Sequence, residues 1–213
     1  PLVRLRELAS SIGIDAHEFH DNFEVVGTLT PYPIVHGGHE KVRQKMLVEP
    51  NAYGSPRSGR ADRIFRSYSG RILVPDRVWW DTAHVIALYS PRPVLSNIFY
   101  ALRLEVRDDV RELMEKALTL WLNTTWGMLL ILVSREETRG RWTRLKMAQW
   151  RLLPVLDVRA LDVETLRRLA QIFDSYASKE LRRIPKQFNP SNPDPVRLAI
   201  DKEFLRALDP SLD

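Results

Sequence analysis

"RDDVRELMEKALTLWLNTTWGMLLILV", residues 107–133, is where the chain changes texture. Before it, from about residue 20 to 105, short β-branched and aromatic runs such as "FEVVGTL", "RILVP", "VIALYS" and "NIFYALRLE" are separated by Pro, Gly and Asn, as strands are. Within it the apolar period becomes helical. Val110, Leu113, Met114, Ala117, Leu118 and Trp121 fall on one stripe, and Asp108 or Asp109 is placed to cap its start. The helix should pause at Asn123–Thr125 and resume as "WGMLLILV", hydrophobic all round and therefore expected to be buried. The uncharged part, 117–133, is shorter than the roughly 20 residues a membrane helix needs and has Asn123, Thr124, Thr125 and Gly127 in its middle, so a core segment is expected and no membrane.

Working outward, "LVRLRELASSIGID" carries Leu2, Leu5, Leu8 and Ile12 at helical spacing and predicts a helix stopped by Gly13. Leu102 and Leu104 alternate with Arg103 and Glu105, as in a half-buried strand. "NAYGSPRSGRAD", 51–62, has no apolar period and reads as an exposed loop. After Pro154 a third texture begins. "DVETLRRLAQIFDSYASKELRRI" predicts an amphipathic helix capped by Asp162, "PKQFNPSNPDP" a proline-rich linker, and "PVRLAIDKEFLRAL" a last short helix with Pro195 in its first turn. The expected fold class is α+β: a mixed sheet-containing body over 1–156 and a helical tail over 157–213.

Size and composition fit that reading. At 213 residues, 44% hydrophobic and 28% charged, the chain has the make-up of an ordinary globular protein. It has no cysteine, which excludes disulfides and thiolate metal sites and makes a reducing, cytoplasmic location the default. Pro1 is not an initiator methionine and no signal peptide follows it, which suggests processing or a fragment of a longer chain.

The net charge of +5 is localised. From Asp157 onward ten basic and ten acidic residues cancel, whereas residues 57–77 hold six arginines against Asp62 and Asp76. Residues 135–151 hold six basic groups against Glu136 and Glu137, with Trp142 and Trp150 interleaved. Cations gathered in patches imply a polyanionic partner, and arginine's planar fork suits phosphate and guanine. Tryptophans beside them offer stacking faces for nucleic acid. The same windows also fit a solvated arginine-rich surface, with Trp142 as a core anchor.

Catalytic chemistry is hard to find. His17 and His20, and His36 and His39, stand three residues apart, but neither pair has a metallopeptidase glutamate, and "HGGH" contains two helix-breaking glycines. Turn histidines bonded to backbone are expected, with His84 alone, and no metal. There is no phosphate-binding glycine loop, nucleophile elbow or carboxylate pair, so no catalytic residue is named.

The order of motifs nevertheless resembles the C-terminal part of N6-adenine DNA methyltransferases of restriction-modification systems. The blocks are "IGIDAHEFHDNF", "GRILVPDRVWWDTAHVIALYS", "WLNTTWGMLLILVSREETRGRWTRLKMAQWRLLPVLD" and "DPVRLAIDKEFLRAL". The third is the most specific, through Leu122, Asn123, Thr124, Gly127, Glu137, Thr138, Gly140, Trp142, Leu153 and Pro154. The resemblance implies a target recognition domain for double-stranded DNA, followed by helices that pack on a catalytic methyltransferase domain or subunit. The family's Asn/Asp-Pro-Pro-aromatic motif and its glycine-rich S-adenosylmethionine loop have no counterpart here, so the methyl donor is expected only in a separate catalytic domain. Candidate DNA contacts are Arg57, Arg60, Arg63, Arg66, Arg139, Arg141, Trp142, Arg144 and Lys146. The competing expectation is an assembly module whose tail docks a partner or a second copy, without DNA contact.

Overall fold

Ile72, Leu73 and Val74 have no exposed surface at all and form the middle of a seven-stranded mixed sheet. The computed structural model describes residues 1–37, 43–134 and 142–212. In chain order its strands are β1 (Leu2–Arg4), β2 (Ala9–Ile12), β3 (Phe23–Val26), β4 (Pro33–Val35), β5 (Ala52–Pro56), β6 (Gly70–Pro75), β7 (Arg77–Trp79), β8 (Leu88–Ser96), β9 (Phe99–Leu104), β10 (Trp142–Arg144) and β11 (Pro154–Leu156). Its helices are α1 (Ala16–Asn22), α2 (Ala61–Tyr68), α3 (Arg111–Leu122), α4 (Thr125–Val133), α5 (Met147–Leu152), α6 (Val163–Tyr176), α7 (Ile184–Gln187) and α8 (Pro195–Leu208).

The sheet runs β2-β9-β6-β8-β4-β5-β3. Among the described residues only β4 and β8 pair in parallel within it. The unbroken apolar run of β6 is what a central strand covered on both faces requires. β9 shows the simpler pattern, with Leu102 and Leu104 buried and Arg103 exposed between them. Helix α3 packs on β6 and β8, and α6 lies across α3. The larger core draws on residues from Leu5 to Ala207, so packing runs across residue 156. A smaller core gathers Phe19, Phe23, Ile34, Ile64 and Leu95 beneath α1 and α2. Helices and mixed sheet together are an α+β fold.

The break between α3 and α4 falls at Asn123–Thr124, where the two axes bend by 68°. Thr124 caps α4 by accepting from Gly127 N. Asp162 caps α6 through Thr165 N at 2.9 Å, and Asp194 caps α8 ahead of Pro195. Among the described residues no single helix is long and apolar enough to cross a membrane.

Five expectations are corrected. Residues 2–12 are not a helix but β1, a 3-10 turn (Leu5–Glu7) and β2. Leu5 and Leu8 are buried at the i,i+3 spacing of that single turn, while β1 pairs with β11 and β2 with β9. Tertiary pairing with waiting strand edges outweighs a weak local propensity. Gly13 ends β2 at φ +56°, where a Cβ would stand 2.8 Å from Ala101 N. Of residues 51–62, only Asn51 and 57–60 are loop; the rest are strand and helix. Ala52 and Gly54 are small and buried, which lets β5 lie between β3 and β4, and α2 begins at Ala61.

Helix α4 is not buried all round: Leu129 is 52% and Val133 82% exposed. Asp108 does not cap α3; it accepts instead from the Arg111 guanidinium at 2.8 and 2.9 Å. The tail helix stops at Tyr176, and the supposed linker contains α7 and two buried polar residues, Gln187 and Asp194. Arg197 explains the last point. It is buried, its Nε and Nη2 donate to Gln187 Oε1 at 2.9 and 2.7 Å, and Nη1 donates to the Asn123 carbonyl. A buried guanidinium must fill its donors, and folding the proline-rich segment over it does so.

Candidate nucleic-acid interface

Past Pro75 the chain leaves the sheet and forms a two-stranded antiparallel ribbon, β7 against β10. Its register pairs Trp79 with Trp142, Val78 with Thr143 and Arg77 with Arg144. The two-residue period of a strand then sorts the side chains. Val78 and Thr143 point inward and are 1% exposed, and Trp80 Nε1 donates to Thr143 Oγ1 at 2.8 Å. The other face carries Arg77, Trp79 and Arg144, all exposed, with Trp142 half-buried among them.

The two indoles lie 6.1 Å apart at 37°, and the Arg77 guanidinium sits 5.4 Å from the Trp142 ring centroid. Lys146 is exposed just beyond β10. The acid closest in sequence is Asp76, 3.5 Å from Arg77 Nε; among the described residues neither Arg144 nor Lys146 has a carboxylate partner. The result is a short cationic face with aromatic floor.

Three residues hold it in place. Leu145 N donates to the Asp76 carbonyl at 2.8 Å, extending the pairing. Trp150, fully buried, donates from Nε1 to the Pro75 carbonyl at 2.9 Å. Arg43 reaches under the ribbon, donates to the Arg77 carbonyl at 3.3 Å and lies 4.9 Å from the Phe99 ring centroid. Burial lowers the Arg43 guanidinium's pKa, and the charge of Asp76 opposes that shift. Trp150 is therefore a core anchor and not a stacking face: α5 turns it inward.

The first basic window lies elsewhere. Arg60, just before α2, and Arg63 on it are exposed and line a depression of about 440 Å³ with Glu18 and Asp21 of α1. Arg57 is exposed and loosely paired with Glu24 at 3.7 Å. Arg66 is exposed in the last turn of α2, one end of β6, whereas the ribbon starts from the other end. Six residues of extended chain, about 20 Å, separate them. Arg139 and Arg141 lie outside the described residues, as do Glu137, Thr138 and Gly140.

The ribbon brings Trp142, Arg144 and Lys146 together and adds two residues not named from the sequence, Arg77 and Trp79. Their signal was the matching alternation of Arg77-x-Trp79 and Trp142-x-Arg144, which shares one face only once the strands pair.

His17 and His84 make other contacts, and His39 lies outside the described residues. His17 Nδ1 lies 3.0 Å from Asp21, and His84 Nδ1 meets the Leu181 carbonyl at 2.5 Å, which makes that nitrogen the protonated one. Among the described residues no group of three or more His, Cys, Asp or Glu is placed to hold a metal. The chain matches no family model, and no curated protein matches it.

Proposed function

We propose that this chain is a cytoplasmic double-stranded DNA recognition module, the target-recognition part of an adenine-specific DNA methyltransferase of the restriction-modification type. The observation that carries the reading is the outer face of the β7–β10 ribbon, with Arg77 beside Arg144 and Trp79 beside Trp142. A two-stranded antiparallel ribbon is one of the two backbone forms that enter the major groove, which is about 12 Å wide. Arg77 and Arg144 offer bidentate donors to guanine edges or phosphates, Lys146 offers a phosphate contact, and the indoles offer apolar surface to thymine methyls and sugars. Methyl transfer, with its S-adenosylmethionine, belongs in this reading to a separate catalytic domain or subunit, and this chain's role is to hold and orient the duplex.

The test is fluorescence anisotropy of the chain with labelled duplex over a salt series. Three neutralised phosphates give a log–log slope near −3. Arg144→Gln lowers affinity and either flattens that slope by about 0.9 (a phosphate contact) or relaxes one base position. Binding that ignores salt, or that survives Arg77→Gln/Arg144→Gln unchanged, overturns the reading.

One observation favours an assembly role alongside it. The exposed side of α4, with Leu129 and Val133, is apolar surface of the kind that docks a partner. Leu129→Lys/Val133→Lys should abolish that association and leave duplex binding intact.

A further inference from the structure

We propose that the depression between the end of α2, the start of β6, β9 and the start of α3 is a second binding site, for a small phosphate ester that carries free hydroxyl groups, of the phosphorylated-sugar class. The depression holds about 460 Å³ and is lined by Arg66, Arg71, Arg103, Arg111 and Glu115 among others. Pockets of that size take small metabolites. What makes it a site is the difference between those of its polar groups that are already satisfied and those that are not.

Arg111 is satisfied. Its guanidinium donates twice to Asp108 Oδ1, at 2.9 and 2.8 Å, and to the carbonyls of Leu104 and Val106 at 2.6 and 2.8 Å. It braces the wall and neutralises Asp108. Arg71 is held only through long contacts. Its Nη1 stands 3.5 Å from the Tyr89 hydroxyl, 3.8 Å from Glu115 and 3.9 Å from Glu112. Each of these exceeds the 2.7–2.9 Å of a charge-assisted hydrogen bond.

Arg66 and Arg103 are exposed at the mouth; Arg103 donates to the Arg66 backbone carbonyl, and among the described residues neither guanidinium meets a carboxylate. Glu115 is the inner wall. Its side chain is 4% exposed, and its Oε2 has no hydrogen-bond partner among the described residues. A buried acceptor left without a donor is destabilising.

One ligand class fills both deficits. A phosphate dianion at the mouth takes Arg66 and Arg103 and draws Arg71 toward it; the movement of Arg71 uncovers Glu115 Oε2, which then accepts from a hydroxyl on the attached sugar. Inorganic phosphate satisfies only the mouth. Internal nucleotides of DNA have no free hydroxyl to donate, so this site is distinct from the ribbon and does not rest on the DNA reading.

The probe is ribose 5-phosphate, titrated into the whole chain by calorimetry beside inorganic phosphate. The expected result is saturable binding at least fivefold tighter for ribose 5-phosphate. Arg66→Gln/Arg103→Gln, at exposed positions whose folding a thermal melt checks, should weaken it at least tenfold. Glu115→Ala should erase the preference over inorganic phosphate while keeping the phosphate component, and Lys202→Gln, exposed on α8 and far from the depression, should change nothing. No saturable binding, equal affinity for inorganic phosphate, or binding unmoved by the double arginine change overturns the proposal. Duplex binding measured on the same variants reports the ribbon separately, so a failure here leaves the other reading standing.

Discussion

Asn123 pairs with Ala87 as a strand residue would, but through its side chain. Oδ1 accepts from Ala87 N at 3.3 Å and Nδ2 donates to the Ala87 carbonyl at 2.8 Å. The same amide also accepts from Ile86 N at 2.8 Å and donates to the Thr119 carbonyl at 2.9 Å, all in the buried core. The break between α3 and α4 is thereby tied to the segment entering β8. Asn123→Ala should cost about 3 kcal/mol or more, because it strands backbone donors in the core. Urea denaturation measures it, and a loss below about 1 kcal/mol would mean that water replaces the amide.

Gly127 lies against the same break, where a Cβ would come within 2.2 Å of the Trp121 carbonyl. Helix propensity alone predicts that Gly127→Ala stabilises α4 by about 1 kcal/mol. The clash is with backbone, which cannot swing aside, and should win by about 1–3 kcal/mol. A lower melting temperature is therefore expected; a higher one would show that α4 can slide.

Two tryptophans of the ribbon region should separate stability from binding. Trp150→Ala removes a fully buried ring and should destabilise by about 3–5 kcal/mol. Trp79, 47% exposed, should cost about 1 kcal/mol or less on the same change while lowering duplex affinity severalfold. If Trp79→Ala binds duplex as the parent does, the aromatic floor has no part in recognition.

Glu115 makes stability depend on pH. Burial lifts its carboxyl from 4.5 to about 7 against the opposing pull of Arg71 and Arg111, with Glu112 adding to the rise. The folded state therefore holds the proton more tightly than the unfolded state. Its favourable contribution is whole below about pH 4.5 and fades as pH rises to about 7, a loss of about 3 kcal/mol. Glu115→Gln, which mimics the protonated form, should be more stable than the parent at pH 8 and equal to it near pH 4. Equal curves at both pH values would place the ionised carboxylate in a satisfied environment.

Local chemistry was legible wherever it is decided within a few residues. The Asp162 cap, Pro195 in the first turn of the last helix, the pause at Asn123–Thr125 and the alternation at Leu102–Leu104 all read directly, because each depends on neighbours a few positions away. The strand content of residues 2–12 and 51–56 did not read. Leu2, Leu5, Leu8 and Ile12 have helical spacing, and Ala52–Pro56 has almost no apolar signal; their strands form because partners about 150, 90 and 20–30 residues away in the chain pair with them.

The candidate sites divide along the same line. Charge density by itself marked the two basic windows, since it is a property of composition along the chain. Which cations share a face was decided by the register of β7 against β10, 63 residues apart at Trp79 and Trp142, and by β6 holding α2 away from the ribbon. Hydrophobic period and capping are local and so belong to the sequence. Strand pairing, the burial of Arg197 and the unfilled acceptor on Glu115 arise from contacts between distant segments, and only the folded chain brings those together.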